Sequence, residues 1–194
     1  GAKVLHPRTM VPLVDDGIPL HLRNTFRPES KGTRVAGDVK AGSYPVRALS
    51  AFLSQALLSV EGKGMMGVPG VAARTFRALS DAGHSVSMIS QASSEASICF
   101  LVPSDEADHA ARALSTEFAP EIAGRLVDGV RAEKGLAAVA VVGMGMRGTP
   151  GIAARTFGAL SRQRINIVAM AQGSSELNIT MVIRQDDVPR AMQA

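Results

Sequence analysis

An α+β fold made of two βαββαβ units is predicted by three features of this sequence. These are a long internal repeat, the order of apolar runs within each copy, and short polar turns that reverse the chain between two of those runs. At an offset of 81 residues, 60–102 lies over 141–183, with nearly half of the aligned positions identical. Self-similarity at one fixed offset marks a duplicated structural unit.

Each copy opens with an apolar run of strand length, residues 55–60 or 136–142. A glycine-rich stretch follows, "GKGMMGVPG" (62–70) or "GMGMRGTPG" (143–151). A helix is predicted from Pro69 to about Ala82 and from Pro150 to about Arg164, since proline suits a first helical turn whose N–H would have no partner. Val71, Thr75, Ala78 and Leu79 recur at helical spacing and mark the buried stripe. Two strands come next, "HSVSMISQ" then "ASICFLV", or "INIVAMAQ" then "LNITMVI". The polar turns "ASSE" and "GSSE" between them force antiparallel hairpins. A second helix is predicted in "SDEADHAARALSTEF", with Ser104 as N-cap and with Asp105 and Glu106 at the positive end of the helix dipole. The second copy begins the same helix with "DDVPRAM", and "LVDGVRA" (126–132) reads as a closing strand of the first. The unit is therefore an antiparallel sheet with helices on one face, the ferredoxin-like arrangement.

The glycine stretches contain G-x-G-x-x-G before a helix, which raises the possibility of dinucleotide binding. That fold needs parallel strands and an acidic residue at the end of the second strand. Here the second strand ends in Gln91 or Gln172 and the chain doubles back at once. Two other readings stand: a tight turn that needs glycine's backbone freedom, or exposed N–H groups that hold a small carboxylate.

Composition narrows the function classes. Apolar residues make up 46% of the chain, enough for a core built from Val, Ile, Leu, Ala and Met. Six Phe, one Tyr and no Trp supply few stacking surfaces for single-stranded nucleic acid. The net charge of +4 is scattered, with no basic run to favour nucleic acid or a membrane surface. Cys99 is the single cysteine, which excludes an intrachain disulfide and a cysteine metal cluster and fits a reducing, cytoplasmic setting. No apolar run approaches the roughly 18 residues of a membrane span, and the start does not read as a signal peptide. His6, His21, His84 and His109 have no ligand spacing, and no metal site or catalytic constellation is expected.

The segments "GAKVLHPRTMVPL", "GIPLHLRNTF" and "GTRV" resemble, in that order, the end of the kinase domain of aspartate kinases. The repeat is similar to the tandem ACT domains that follow in those enzymes. "SQASSE" and "AQGSSE" are close to the form in the threonine-sensitive class, often fused to homoserine dehydrogenase. The resemblance implies a division into the end of a kinase domain with linker (1–42), a first ACT domain (43–132) and a second, shortened one (133–194). It also implies that one ACT unit is inserted in the other, the second in the first, with "YPVRALSAF" (44–52) as a candidate shared strand. The parent enzyme would phosphorylate L-aspartate with ATP and Mg²⁺, while this piece, lacking the start of the kinase domain, would need no cofactor and transfer no phosphoryl group. Its partners would be a free amino acid, threonine favoured and lysine possible, and further copies of itself through ACT–ACT pairing. The missing kinase domain and possibly a homoserine dehydrogenase domain would complete the set. The competing reading is a stand-alone amino-acid sensor or dimerisation module that controls another enzyme or a transcription factor.

The candidate effector-binding residues follow from the repeat and the resemblance together. Gln91 and Gln172 end equivalent strands, and an amide can both donate to and accept from a zwitterion or a hydroxyl. The backbone of Met65, Met66, Gly67 and Gly70, and of Met146, Arg147, Gly148 and Gly151, offers donors for a carboxylate. Gly67 and Gly148 stand where many ACT domains carry an aspartate, so no ammonium-binding carboxylate is expected there. Ser94 and Ser175 are turn residues adjacent to the ligand position. Asn166, which matches Ser85, would contact a ligand in one copy alone.

Overall fold

The computed structural model describes residues 5, 7–37, 45–65, 68–91, 97–143, 146, 149–172 and 178–194. They fall into two compact units, Gly1–Pro45 and Val46–Ala194. In the first, helix α1 (Pro7–Asp15) is followed by strands β1 (Leu20–Leu22) and β2 (Thr33–Val35), which pair antiparallel with His21 opposite Arg34. The helix stops where Gly17 turns left-handed (φ 66) and Ile18 N–H bonds back to Leu13 O at 2.8 Å. This is the C-terminal motif that glycine permits.

The second unit runs β3 (Val46–Glu61), α2 (Val71–Asp81), β4 (Met88–Ser90), β5 (Ser97–Pro103), α3 (Ala107–Glu117), α4 (Ala119–Ala123), β6 (Gly129–Gly143), α5 (Ile152–Arg162), β7 (Ala169–Gln172), β8 (Asn178–Arg184) and α6 (Val188–Ala191). Its strands form one six-stranded sheet in the order β4-β5-β3-β6-β8-β7. Every neighbouring pair is antiparallel. Among the described residues there is thus no parallel pair on which a dinucleotide crossover could be built.

Two strands belong to both repeats. Residues 57–61 of β3 pair with 129–133 of β6 and, on the other side, with β5. The earlier half of β3 pairs instead with the later half of β6, from Val46 opposite Gly143 to Phe52 opposite Ala138. Residues 46–52 therefore supply the fourth strand of the second repeat, although they precede the first. The first repeat is nested inside the second, the reverse of the nesting that the resemblance implies. The physical reason is the register: strand order 2-3-1-4 within each unit is completed only by this long-range pairing.

Both shared strands bend at the same place in the repeat. Ser54 (φ 55) and Gly135 (φ 75) lie 81 positions apart and are both left-handed. Serine at such an angle is strained by about 1 kcal/mol or more. Hydrogen bonds from both repeats hold it: Ser54 N–H donates to Gln185 Oε1 at 2.6 Å, and Ser54 O accepts from Ser104 N–H at 2.8 Å.

Each repeat buries its own core between sheet and helices. The first gathers Leu58, Val60, Leu79, Phe100, Leu114 and Phe118, and the second Val139, Val141, Leu160, Ile179, Met181 and Ile183. Within α2, Thr75 and Leu79 are buried and Val71 and Ala78 pack against the core, as the helical spacing predicts. Alternate strand residues point to the other face, where Met88, Leu101, Leu136, Ala138 and Val182 form a third cluster. The sheet curls about it until the edge strands meet, with Ser90 Oγ donating to Met170 O at 2.9 Å.

The start of α3 differs from expectation. Ser104 does not cap it; the helix begins at Ala107 after a turn closed by Glu106 N–H to Pro103 O (3.1 Å). The Ser104 amide is taken by the bend at Ser54, and the Glu106 carboxylate reaches His84 instead of the helix amides.

The helices α2 and α5 end in the same way, with a left-handed residue and a bond from the next N–H to a carbonyl five residues back. That residue is Gly83 (φ 80) in the first copy and Arg164 (φ 55) in the second. The bonds are His84 N–H to Leu79 O at 2.8 Å and Ile165 N–H to Leu160 O at 3.0 Å. Replacing the strained arginine by its repeat counterpart, Arg164→Gly, is expected to stabilise the fold by about 0.5–1 kcal/mol. The readout is an upward shift in the urea midpoint; an unchanged or lower midpoint contradicts the strain assigned to Arg164.

Candidate functional site

The glycine turns lead from β3 into α2 and from β6 into α5. In the first, two glycines serve a close approach of backbone. A Cβ on Gly62 would lie 2.5 Å from Leu126 O and from Val127 Cα, and one on Gly64 would lie 2.7 Å from Leu126 O. Gly64 N–H donates to Leu126 O (3.1 Å) and Asp128 N–H to Glu61 O (2.7 Å), which stitches the turn to the entry of β6. The tight-turn reading therefore accounts for these two glycines.

Further along, Met65 N–H is spent on Gly62 O and Val68 N–H on Met65 O, at 3.0 and 3.2 Å. The Met65 and Met146 side chains are buried in their respective cores. Thr149 N–H bonds to Met146 O at 3.2 Å, repeating the Val68 contact. Met65 is thus part of the turn's own bonding and offers no free amide donor. Donors remain one step on. Gly70 (φ 88) and Gly151 (φ 86) are left-handed and exposed, and neither helix has a side-chain cap. The first-turn N–H groups at 71–73 and 152–154 have no acceptor within their helices. Met66, Gly67, Arg147, Gly148, Ser94 and Ser175 lie outside the described residues.

Gln172 closes β7, exposed and opposite Ile179, which in turn pairs with Val141, two residues before the turn opens at Gly143. Gln91 follows Ser90 directly, exposed, beyond the last paired residue of β4. Each glutamine therefore lies at the strand end that runs back toward its own glycine turn. Asn166 is not gathered with them. It follows the C-terminal end of α5, about 16 Å along the helix from Gly151. There it lines an open groove of about 630 Å³ with Phe157, Ser161, Arg164 and Met170.

A feature that sequence reasoning missed ties α2 to its surroundings in the first copy. Arg74 Nε donates to Glu117 Oε1 (2.7 Å), its Nη2 to Glu117 O (3.0 Å) and its Nη1 to Glu121. The guanidinium also sits 4.8 Å from the centre of the Phe118 ring. Its hydrogen bond holds the Glu121 carboxyl below the usual carboxylate range, and the two carboxylates raise the Arg74 guanidinium in return. Glu121 O accepts from Leu126 N–H at 2.8 Å, so helix, acidic pair and glycine turn form a closed ring of contacts. The signal in the sequence was an arginine within the repeated "AARTF" whose partners lie more than forty residues away.

The ACT domain family matches residues 58–118 and 139–194. With the nested βαββαβ units and their paired turns, this places the chain in the ACT domain family. Among curated relatives, the bifunctional aspartokinase/homoserine dehydrogenase of Haemophilus influenzae is 44% identical over 194 residues, covering all of this chain and 24% of that protein. The chloroplastic bifunctional aspartokinase/homoserine dehydrogenase 1 of Arabidopsis thaliana is 41% identical over 199 residues, covering 100% of this chain and 22% of its own length. The chain thus spans about a quarter of the length of these relatives. Among solved structures, the aspartate kinase of Clostridium acetobutylicum superimposes with a TM-score of 0.86 at 25% identity over 100% of this chain and 44% of that one. The ligand-free regulatory subunit of aspartate kinase from Thermus thermophilus gives 0.65 at 28% identity, over 77% of this chain and 95% of that one. Escherichia coli aspartokinase III in complex with lysine and aspartate gives 0.75 at 28% identity, over 100% of this chain and 41% of that one. No helix among the described residues is long and apolar enough to cross a membrane.

Proposed function

We propose that this chain is the feedback-sensing part of an aspartate kinase. On this reading it binds a free end-product amino acid at the two glycine turns and transmits inhibition to a kinase domain. The observation that carries the proposal is the twofold recurrence of one arrangement: a left-handed glycine, an uncapped first helical turn, and a glutamine at the strand end facing it. The amides suit a carboxylate, and the glutamine suits the ammonium or hydroxyl of the same molecule. Gly1–Pro45 is read as the end of the kinase domain. In support, the Clostridium kinase covers the whole chain, whereas the isolated regulatory subunit covers 77% of it. ATP, Mg²⁺ and the phosphoryl transfer would belong to residues outside this chain, and the parent protein would be a cytoplasmic homo-oligomer.

Threonine is the proposed effector, because both "Q-x-S-S-E" stretches match the class fused to homoserine dehydrogenase, the class of the two curated relatives. Lysine is the second reading, favoured by the likeness to a kinase crystallised with lysine. A ligand shifts a conformational equilibrium only by its difference in affinity for the two states. The α2 and α5 helices, which begin at the ligand and end far from it, are the elements such a difference would move. Calorimetric titration with threonine, lysine, isoleucine and methionine identifies the effector. In the complete enzyme, Gln172→Ala or Gln91→Ala is expected to raise the effector concentration for half-inhibition about tenfold, the loss of one good hydrogen bond. Uninhibited turnover should stay as it is. Loss of turnover with sensitivity intact, or no heat with any of the four amino acids, counts against the proposal.

A further inference from the structure

Arg74 holds the first glycine turn at both of its ends. Its backbone N–H donates to Gly70 O at 2.9 Å, at the start of α2. Its side chain reaches the other end through a chain of neighbours. Nη1 donates to the Glu121 carboxylate, Glu121 O accepts from Leu126 N–H (2.8 Å) and Val127 N–H (3.2 Å), and Leu126 O accepts from Gly64 N–H (3.1 Å). Residues 62–64 and the first turn of α2 are thereby fixed against one another.

Three features separate this clamp from an ordinary ion pair at a surface. The guanidinium uses all three nitrogens, with Nε on Glu117 Oε1 (2.7 Å) and Nη2 on Glu117 O (3.0 Å) beside the Glu121 contact. The Phe118 ring, 4.8 Å from the guanidinium carbon, belongs to the buried core and gives the group a fixed platform. Glu121 Oε2 is buried and has no donor among the described residues, so the charge of this carboxylate depends on Arg74 for its balance. The side chains nevertheless stay partly open to water, at 41% for Arg74, 36% for Glu117 and 25% for Glu121. Ion pairs that water reaches contribute little to global stability. What a planar fork on two partners supplies is geometry.

The second repeat lacks this device. Arg155 N–H donates to Gly151 O at the same 2.9 Å. Its side chain is exposed and makes no ion pair among the described residues. The second site is therefore an internal control.

We propose that Arg74 is a positioning residue for the first effector site: through Glu117 and Glu121 it keeps the glycine turn and the uncapped amides of α2 in the arrangement that receives a carboxylate. The proposal rests on the functional reading above and names what prepares one of its two sites. Arg74 acts through the turn and does not itself touch the ligand. Without the clamp the first turn of α2 samples other arrangements, and the affinity of the site falls with the fraction of chains that are competent.

Calorimetric titration of the full chain tests this, with threonine, or with lysine should threonine give no heat. Two backgrounds separate the sites. In a Gln172→Ala chain the first site dominates, and adding Arg74→Met should weaken it about tenfold, the effect of a competent fraction of roughly one in ten. In a Gln91→Ala chain the second site dominates, and adding Arg74→Met should leave its affinity as it was. Arg74→Lys keeps the charge and loses the fork, so it should still weaken the first site about threefold; it stands in for the methionine variant should that chain fail to fold. A purely structural arginine would lower the unfolding midpoint and either leave both affinities of the folded chain unchanged or weaken both alike. Either result overturns the proposal. If the unmodified chain binds neither amino acid, the functional reading falls and this proposal with it. If the unmodified chain binds and the first site is unaltered in Arg74→Lys, this proposal alone is overturned.

Discussion

Gly62→Ala is expected to cost about 3 kcal/mol or more of folding stability. The added methyl would meet backbone, not a movable side chain, at 2.5 Å on two atoms. Both sides of that approach are fixed: Gly64 N–H holds Leu126 O, Asp128 N–H holds Glu61 O, and Leu126 N–H is itself held by Glu121 O. Relief requires a shift of roughly 1 Å, which breaks part of this set and loosens the entry of β6. Gly70→Ala is the control, since its Cβ would meet nothing within 4 Å and only the left-handed backbone opposes it. That cost is about 1–2 kcal/mol. Urea unfolding of the two variants separates crowding from backbone strain. A Gly62→Ala midpoint close to that of the parent chain would place the 126–128 segment elsewhere.

Phe100→Ala should cost about 4 kcal/mol. Phe100 is fully buried at the centre of the first repeat's core and meets Phe76 edge-on at 5.9 Å between ring centres. Truncation removes the transfer energy of the ring, leaves a cavity, and forfeits an aromatic contact of roughly 1 kcal/mol. The second repeat has Met181 at the same position, equally buried, so Phe100→Met should be tolerated far better, at under about 2 kcal/mol. The sharper expectation concerns reach. Because β3 and β6 each run through both repeats, loss of the first core should lower the protection of amides in β7 and β8 as much as those in β4 and β5. A Phe100→Ala chain whose second repeat kept its parent hydrogen-exchange protection would contradict this shared cooperativity.

The periodic elements were legible because their signals are local. The helix expected from Pro69 to about Ala82 is found at Val71–Asp81, and the one expected from Pro150 to about Arg164 at Ile152–Arg162. Both hairpins were announced by their polar turns. The long strands were not, because nothing local distinguishes residues 126–132 and 136–142 from two separate strands. Only the ladder shows that Gly135 bends one strand without ending it. The direction of nesting was hidden for the same reason, since it rests on Val46 finding Gly143. At the candidate site, the repeated glutamines and glycines stood out by their identity in both copies. The donor expected at Met65 is taken up within the turn, since its N–H bonds to Gly62 O, a contact that no local pattern announces. Of the Arg74 clamp the sequence shows the repeated arginine alone, since its acidic partners lie 43 and 47 residues away.

Nesting has a consequence for the order in which the molecule can be made. Residues 46–52 emerge early in synthesis, yet their hydrogen-bonding partners at 138–143 arrive some ninety residues later. At about 5–20 residues per second, the waiting time is several seconds. During that interval the first repeat can assemble from its own segments apart from its closing strand, while Leu49, Phe52 and Leu53 sit on an unpaired ribbon that invites edge-to-edge association with another nascent chain. Assembly of the second repeat is then a late, long-range closure, and crowded ribosomes translating one message would be the setting in which it most often goes astray.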